Sequence, residues 1–104
     1  MAEISVTDAI AHVAAGATLI DVREQDEWDA GHAPSAQLLP LSALAERFGE
    51  LPSGTPLLVI CHSGRRSERA CAFLAENGYD VTNVLGGMSA WAEAGGPVVA
   101  GEDA

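Results

Sequence analysis

The chain has 104 residues, the size of one domain with one core, so a second domain is not expected. Of its 50 hydrophobic residues 19 are alanine, which points to a compact core made by close approach of elements rather than by aromatic mass. Fifteen acids against five arginines and no lysine give a formal charge of -10, and this argues against nucleic acid or an anionic membrane as partner.

The longest run of large apolar residues, Leu57 to Cys61, falls far short of the roughly 20 needed to cross a bilayer. The start, MAEISVTDAI, lacks a positively charged segment ahead of an apolar stretch; no secretory signal is read, and the cytoplasm is the expected location. Cys61 and Cys71 stand ten residues apart, which suits neither a secreted disulfide framework nor a structural zinc pair, so both are read as free thiols and no metal is expected.

In chain order, Ser5 or Thr7 is expected to cap a helix over Asp8 to Ala15 that stops at Gly16, followed by a buried strand from Thr18 to Val22. A short acidic helix, Glu24 to Ala30, ends at Gly31, and Pro34 and Pro40 confine any strand between them to Gln37 to Leu39. Ser42 to Phe48 reads as a helix closed by Gly49. The clearest strand is Leu57-Leu58-Val59-Ile60, apolar on both faces as a central parallel strand must be. Cys61 to Arg65 is then a loop, Arg66 to Asn77 a helix, Asp80 to Val84 a strand, Gly86-Gly87 a turn and Ser89 to Ala94 a last helix. Alternating short apolar runs and helical segments predict an α/β domain with a largely parallel sheet. The whole chain, 1–104, is read as one domain with its core over about 4–97 and a flexible tail over 98–104.

In an open parallel sheet, functional groups gather at the carboxyl ends of the strands. Cys61 stands there on the best strand, ahead of a loop containing Gly64 and a helix start, so several N–H groups can converge on one anion. Arg65, Arg66 and Arg69 bring three of the five positive charges within five residues. Such surroundings bring a thiol from about 8.5 into the range of roughly 3.5 to 7.5, so the nucleophile needs no general base. The competing reading, a cysteine that merely closes an apolar strand, does not account for the polar loop and arginines behind it. Cys71 falls on the core side of the following helix and is read as packing.

The loop Cys61-His62-Ser63-Gly64-Arg65-Arg66-Ser67 resembles the active-site loop of the rhodanese family of sulfurtransferases. Asp21-Val22-Arg23 with Glu27-Trp28 and Gly31-His32-Ala33-Pro34 resembles the family's amino-terminal signature. Gly86-Gly87, Ala90-Trp91 and Gly95-Gly96-Pro97 resemble its carboxyl-terminal one. The likeness runs from about Ile4 to Pro97. It implies a rhodanese-like fold, with a five-stranded, largely parallel sheet flanked by helices on both faces.

It further implies that Cys61 is the sulfur-carrying nucleophile, with the backbone from His62 to Arg66 curled around it. Substrate-binding candidates are His62, Ser63, Gly64, Arg65, Arg66 and Ser67, with Arg66 on the anionic donor. Arg23 is a further candidate, for which a structural ion pair is the competing reading. Asp21 is expected to anchor a turn, and His32 to order one through its ring hydrogen bonds. Ser35, Leu38-Leu39 and His62 depart from the family's commoner residues, the last bearing on donor preference.

Cysteine-dependent phosphatases of the dual-specificity cell-cycle branch share this architecture but place five residues between Cys and Arg and a His before the Cys. Here four residues separate Cys61 from Arg66, and Ile60 precedes the cysteine. The expected activity is therefore transfer of a sulfane sulfur from an anionic donor, thiosulfate or a persulfide, through a Cys61 persulfide to cyanide or a thiol, including a protein thiol. No cofactor is implied, because the sulfur is held covalently. The alternatives are a persulfide carrier or protein-binding module without efficient small-molecule turnover and, behind it, an oxidant or anion sensor.

Overall fold

A computed structural model describes residues 2–101. The strands are β1 (Ala2–Ile4), β2 (Thr18–Asp21), β3 (Gln37–Leu38), β4 (Leu57–Ile60) and β5 (Val81–Val84). The helices are α1 (Val6–Ala14), α2 (Gln25–Ala30), α3 (Leu44–Arg47), α4 (Arg65–Glu76) and α5 (Gly87–Glu93). All five strands run parallel in the order β1-β5-β4-β2-β3. This is the α/β architecture with a parallel sheet that the alternation of apolar runs and helical segments predicts.

Strand β4 lies between β2 and β5, with Ile20 opposite Val59 and Val59 opposite Asn83. Its side chains alternate between the faces. Leu57, Val59 and Cys61 join Ala70, Cys71 and Leu74 of α4 and Leu44 of α3 in one core layer. Leu58 and Ile60 join Ala9 of α1 and Met88 and Trp91 of α5 in the other. Burial on both sides is why this strand has no polar position, and the two layers exclude water from both faces of the sheet.

Local chemistry explains most boundaries. Ser5 caps α1 by accepting the Asp8 amide at 3.2 Å, and Val6, Ala9, Ile10 and Val13 form its inward stripe. The predicted helix over Ser42 to Phe48 is broken into a 3-10 turn at Leu41–Ala43, the single turn α3 and a second 3-10 turn at Phe48–Glu50; so short a segment depends on tertiary anchors, such as the Tyr79 hydroxyl donating to the Phe48 carbonyl at 2.9 Å. Helix α5 begins at Gly87, two residues before the predicted Ser89.

Two corrections concern the ends. Ala2–Ile4 was not located as a strand by its pattern. It pairs with β5 at the sheet edge, where only Ile4 is half-buried. The segment Val98 to Gly101, predicted to fray, is tied back: His32 and Val99 exchange two backbone hydrogen bonds, at 2.8 and 2.9 Å, and the Gly101 amide donates to the Asp29 carbonyl at 2.9 Å. The rest of that predicted tail, 102–104, lies outside the described residues. No helix among the described residues is long and apolar enough to cross a membrane.

Candidate active site

The site forms where β4 ends and α4 begins. Gly64 caps α4 with φ of 104°, a left-handed conformation that disfavours other residues, and this sharp turn folds the loop back over Cys61. The Gly64 amide donates to Cys61 Sγ at 3.0 Å, and the Ser67 hydroxyl lies 3.3 Å from the same sulfur. Helix α5 supports the loop from behind, with its Met88 amide on the Cys61 carbonyl at 2.7 Å and its Ser89 amide on the His62 carbonyl at 3.0 Å. The two ends of a trans peptide point in opposite directions, so drawing these carbonyls toward α5 turns the His62 and Ser63 amides the other way, and the Ser63 amide is one of those that bond the sulfur.

Only glycine permits this close approach. A Cβ on Gly87 would come within 2.4 Å of the Cys61 carbonyl oxygen and 2.5 Å of the His62 carbonyl carbon.

Burial pushes the Cys61 thiol up, but the Ser67 hydroxyl and the amides of Ser67, Gly64 and Ser63 outweigh it, leaving the thiol below its ordinary pKa. Of the causes that the sequence offers, converging amides, a helix start and three arginines, the amides act on the sulfur directly. Hydrogen bonds dominate, and Arg66 is already engaged: its guanidinium holds both Glu27 carboxylate oxygens at 2.7 Å. That pair raises the Arg66 pKa, with the nearby Cys61 a smaller cause. Arg65 and Arg69 are exposed and enter no ion pair among the described residues.

The side chain of Cys61 is not sealed in hydrocarbon, although the residue is only 1% exposed. Its carbon side joins the core layer over α4, while Sγ meets N–H and O–H donors. Cys71 belongs to that layer without such donors, and burial pushes its thiol up to about 12.

The structure brings His62, Ser63, Gly64, Arg66 and Ser67 around the sulfur or its rim, but sets Arg23 in a different role. Arg23 is 6% exposed. Its Nη2 is 2.8 Å from Asp21 Oδ2 and 2.7 Å from the Gly31 carbonyl, and its Nη1 is 3.4 Å from the Glu27 carbonyl. Asp21 also accepts the Arg23 amide at 3.0 Å. Of the two readings left open by sequence, the geometry is that of the structural ion pair. His32 stacks on Trp28 at 3.7 Å, its Nδ1 2.8 Å from the Trp28 carbonyl.

Beside the loop, between α2 and α5, lies an open cleft of about 300 Å³. Arg23, Glu27 and His62 form its polar wall, and Ala30, Met88 and Val98 its apolar one. Three site residues carry no assignment in the sequence reading. Glu27 was seen only as part of a signature, and Gly87 only as a turn. Asn83, buried on β5, donates from Nδ2 to the Gly64 carbonyl at 3.1 Å and accepts the Ser67 hydroxyl on Oδ1 at 2.5 Å. An amide side chain inside the short strand VTNV, where a buried polar group needs partners, was the available signal.

Fold and site together define a parallel α/β domain that presents one cysteine sulfur to a ring of amides at the carboxyl edge of its sheet. Comparison with known proteins agrees. The rhodanese-like domain model matches residues 5–94. The chain is 41% identical over 85 residues to a sulfurtransferase of Allochromatium vinosum, covering 81% of this chain and 79% of that protein. It is 39% identical over 74 residues to the putative sulfur carrier protein YrkF of Bacillus subtilis, covering 70% of this chain and 40% of that protein. The crystal structure of a rhodanese-related protein from Thermoplasma volcanium is similar with a TM-score of 0.90 and 34% identity, over 95% of this chain and 98% of that one. The chain belongs to the rhodanese-like domain family.

Proposed function

We propose that the protein is a sulfurtransferase that carries a sulfane sulfur on Cys61. The observation that carries this reading is a buried sulfur facing the Gly64 amide at 3.0 Å, with the hydrogen bonds of the loop favouring its ionised form. In the first half-reaction the Cys61 thiolate attacks the outer sulfur of thiosulfate. A new S–S bond forms, the S–S bond of the donor breaks, and its electron pair leaves with sulfite. The product is a Cys61 persulfide anion whose added sulfur the loop amides can hold. In the second, cyanide or a thiolate attacks that terminal sulfur, and the Cys61 thiolate leaves with the electron pair. A ping-pong pattern follows. No metal or organic cofactor takes part in these two steps.

Exposed Arg65 and the rim formed by Arg66 would attract the donor's charge, and the cleft between α2 and α5 would receive the acceptor. The test is Cys61→Ser assayed for thiocyanate formation from thiosulfate and cyanide. Activity at the wild-type level in purified variant would overturn the proposal.

Likeness to a protein named as a putative sulfur carrier supports a second reading, persulfide delivery to a protein thiol without efficient small-molecule turnover. Mass spectrometry after exposure to a sulfane donor separates the two. A gain of about 32 Da on Cys61 is expected in both cases, but only the enzyme would then turn over many times with cyanide.

A further inference from the structure

Asn83, Ser67, Gly64 and Cys61 form a closed circuit of hydrogen bonds. Asn83 Nδ2 donates to the Gly64 carbonyl at 3.1 Å, and the Gly64 amide donates to Cys61 Sγ at 3.0 Å. The Ser67 hydroxyl lies 2.5 Å from Asn83 Oδ1 and 3.3 Å from Cys61 Sγ. A carbonyl only accepts, so Gly64 forces the NH₂ end of Asn83 toward itself and the oxygen toward Ser67. A thiolate also only accepts. The Ser67 hydroxyl therefore faces two acceptors with one proton to give.

We propose that Asn83 competes with Cys61 for the single Ser67 hydroxyl proton and so sets how readily the sulfur ionises. While Cys61 is a thiol, its S–H can donate to Ser67 Oγ, and Ser67 donates on to Asn83; every group in the circuit is satisfied. When Cys61 ionises, the hydroxyl must either stay with Asn83 and withhold its proton from the sulfur, or turn to the sulfur and strand Asn83 Oδ1, on a residue only 2% exposed. Both outcomes cost free energy. Asn83 thus holds back part of the thiol acidification that Ser67 could supply.

The consequence for catalysis rests on the reading of Cys61 as the sulfur carrier. A less acidic thiol is the stronger nucleophile toward the donor, and a more acidic one leaves faster from the persulfide. Asn83 is a positioning residue that keeps one sulfur serviceable in both roles. Other charged or titratable groups near Cys61 are Arg66 and Cys71 from α4, Glu27 through Arg66 from α2, the Asp21–Arg23 pair at the end of neighbouring β2, and His62 in the loop itself. Substitution at 83 replaces none of them.

The experiment is the pH profile of Cys61 alkylation by iodoacetamide, which reads ionisation whether or not any donor is turned over. In Asn83→Leu the Ser67 hydroxyl is released to the sulfur, and the ionisation constant of Cys61 should increase about tenfold. A purely structural role for Asn83 predicts the opposite sign, because a loosened Gly64 would deprive the sulfur of an amide. Ser67→Ala alone should lower the constant by only about threefold, since the hydroxyl divides its one proton between Asn83 Oδ1 and the sulfur. Adding Asn83→Leu to Ser67→Ala should then produce no further increase. A decrease in Asn83→Leu, or the same increase with Ser67 absent, overturns the proposal. Should the Leu variant not fold, a decrease of tenfold or more in Ser67→Ala does so by itself, because it would show the hydroxyl proton wholly on the sulfur with no share held back by Asn83.

Discussion

Arg66 and Glu27, 39 residues apart in the chain, meet as a two-pronged ion pair that ties the first turn of α4 to α2 at the rim of the sulfur site, with both nitrogen–oxygen distances at 2.7 Å. Glu27 Oε1 also accepts the Glu24 amide at 3.1 Å, so the carboxylate is oriented by its own helix before the arginine reaches it.

The pair predicts a specific acid sensitivity. The Arg66 hydrogen bond, against an opposing effect of burial, lowers the Glu27 carboxyl from 4.5 to about 2. A carboxyl held low in the folded state stabilises fully above its unfolded pKa, and that contribution is lost as pH falls from about 4.5 toward 2. Both side chains are about a third exposed, so solvent screening limits the loss in Glu27→Gln to about 1 kcal/mol at pH 7. Urea unfolding at pH 7 and at pH 2.5 should show the gap between variant and wild type closing at the lower pH. A gap of constant size would refute the assignment.

Arg23→Met should act on stability. It removes the only ion-pair partner of Asp21 among the described residues, an acid that is 0% exposed, and breaking a buried pair in this way costs about 3–5 kcal/mol. The thiosulfate KM of the folded fraction should stay within about twofold of wild type, since the guanidinium is committed to Asp21, Gly31 and Glu27. A large rise in KM with unchanged stability would return Arg23 to the donor site.

Gly87→Ala tests whether α5 shapes the sulfur loop. The residue has φ of 58°, and its new Cβ would overlap the Cys61 and His62 carbonyls, so α5 and the loop must separate at a cost of about 2–4 kcal/mol. Alkylation of Cys61 at pH 7 should slow along with the loss of stability. Wild-type alkylation and stability together would mean that the support is dispensable.

The two cysteines should separate cleanly by chemistry. Iodoacetamide at pH 7 is expected to modify Cys61 and spare Cys71, whose thiol burial holds up near 12. Peptide mapping should find one label in the folded protein and two after denaturation. Labelling of folded Cys71 at a rate similar to Cys61 would contradict the burial of the second thiol.

What the sequence determined was what local physics controls. Leu57 to Ile60 announces a strand covered on both faces, Gly64 a turn at a strand end, and the Cys61 to Ser67 spacing a sulfur under backbone amides, because apolar period and glycine's conformational freedom act within a few residues. Tertiary structure decided which distant groups meet. The edge strand Ala2–Ile4 has no buried face to mark it, and it is a strand because β5 offers it an unpaired edge. Glu27 neutralises Arg66, Asn83 engages Ser67, and α5 draws the Cys61 and His62 carbonyls away from the sulfur only because the order β1-β5-β4-β2-β3 sets those elements beside one another. The sequence therefore singled out the candidate cysteine, and the packing of remote elements determined that hydrogen bonds, more than arginine charge, shift its acidity.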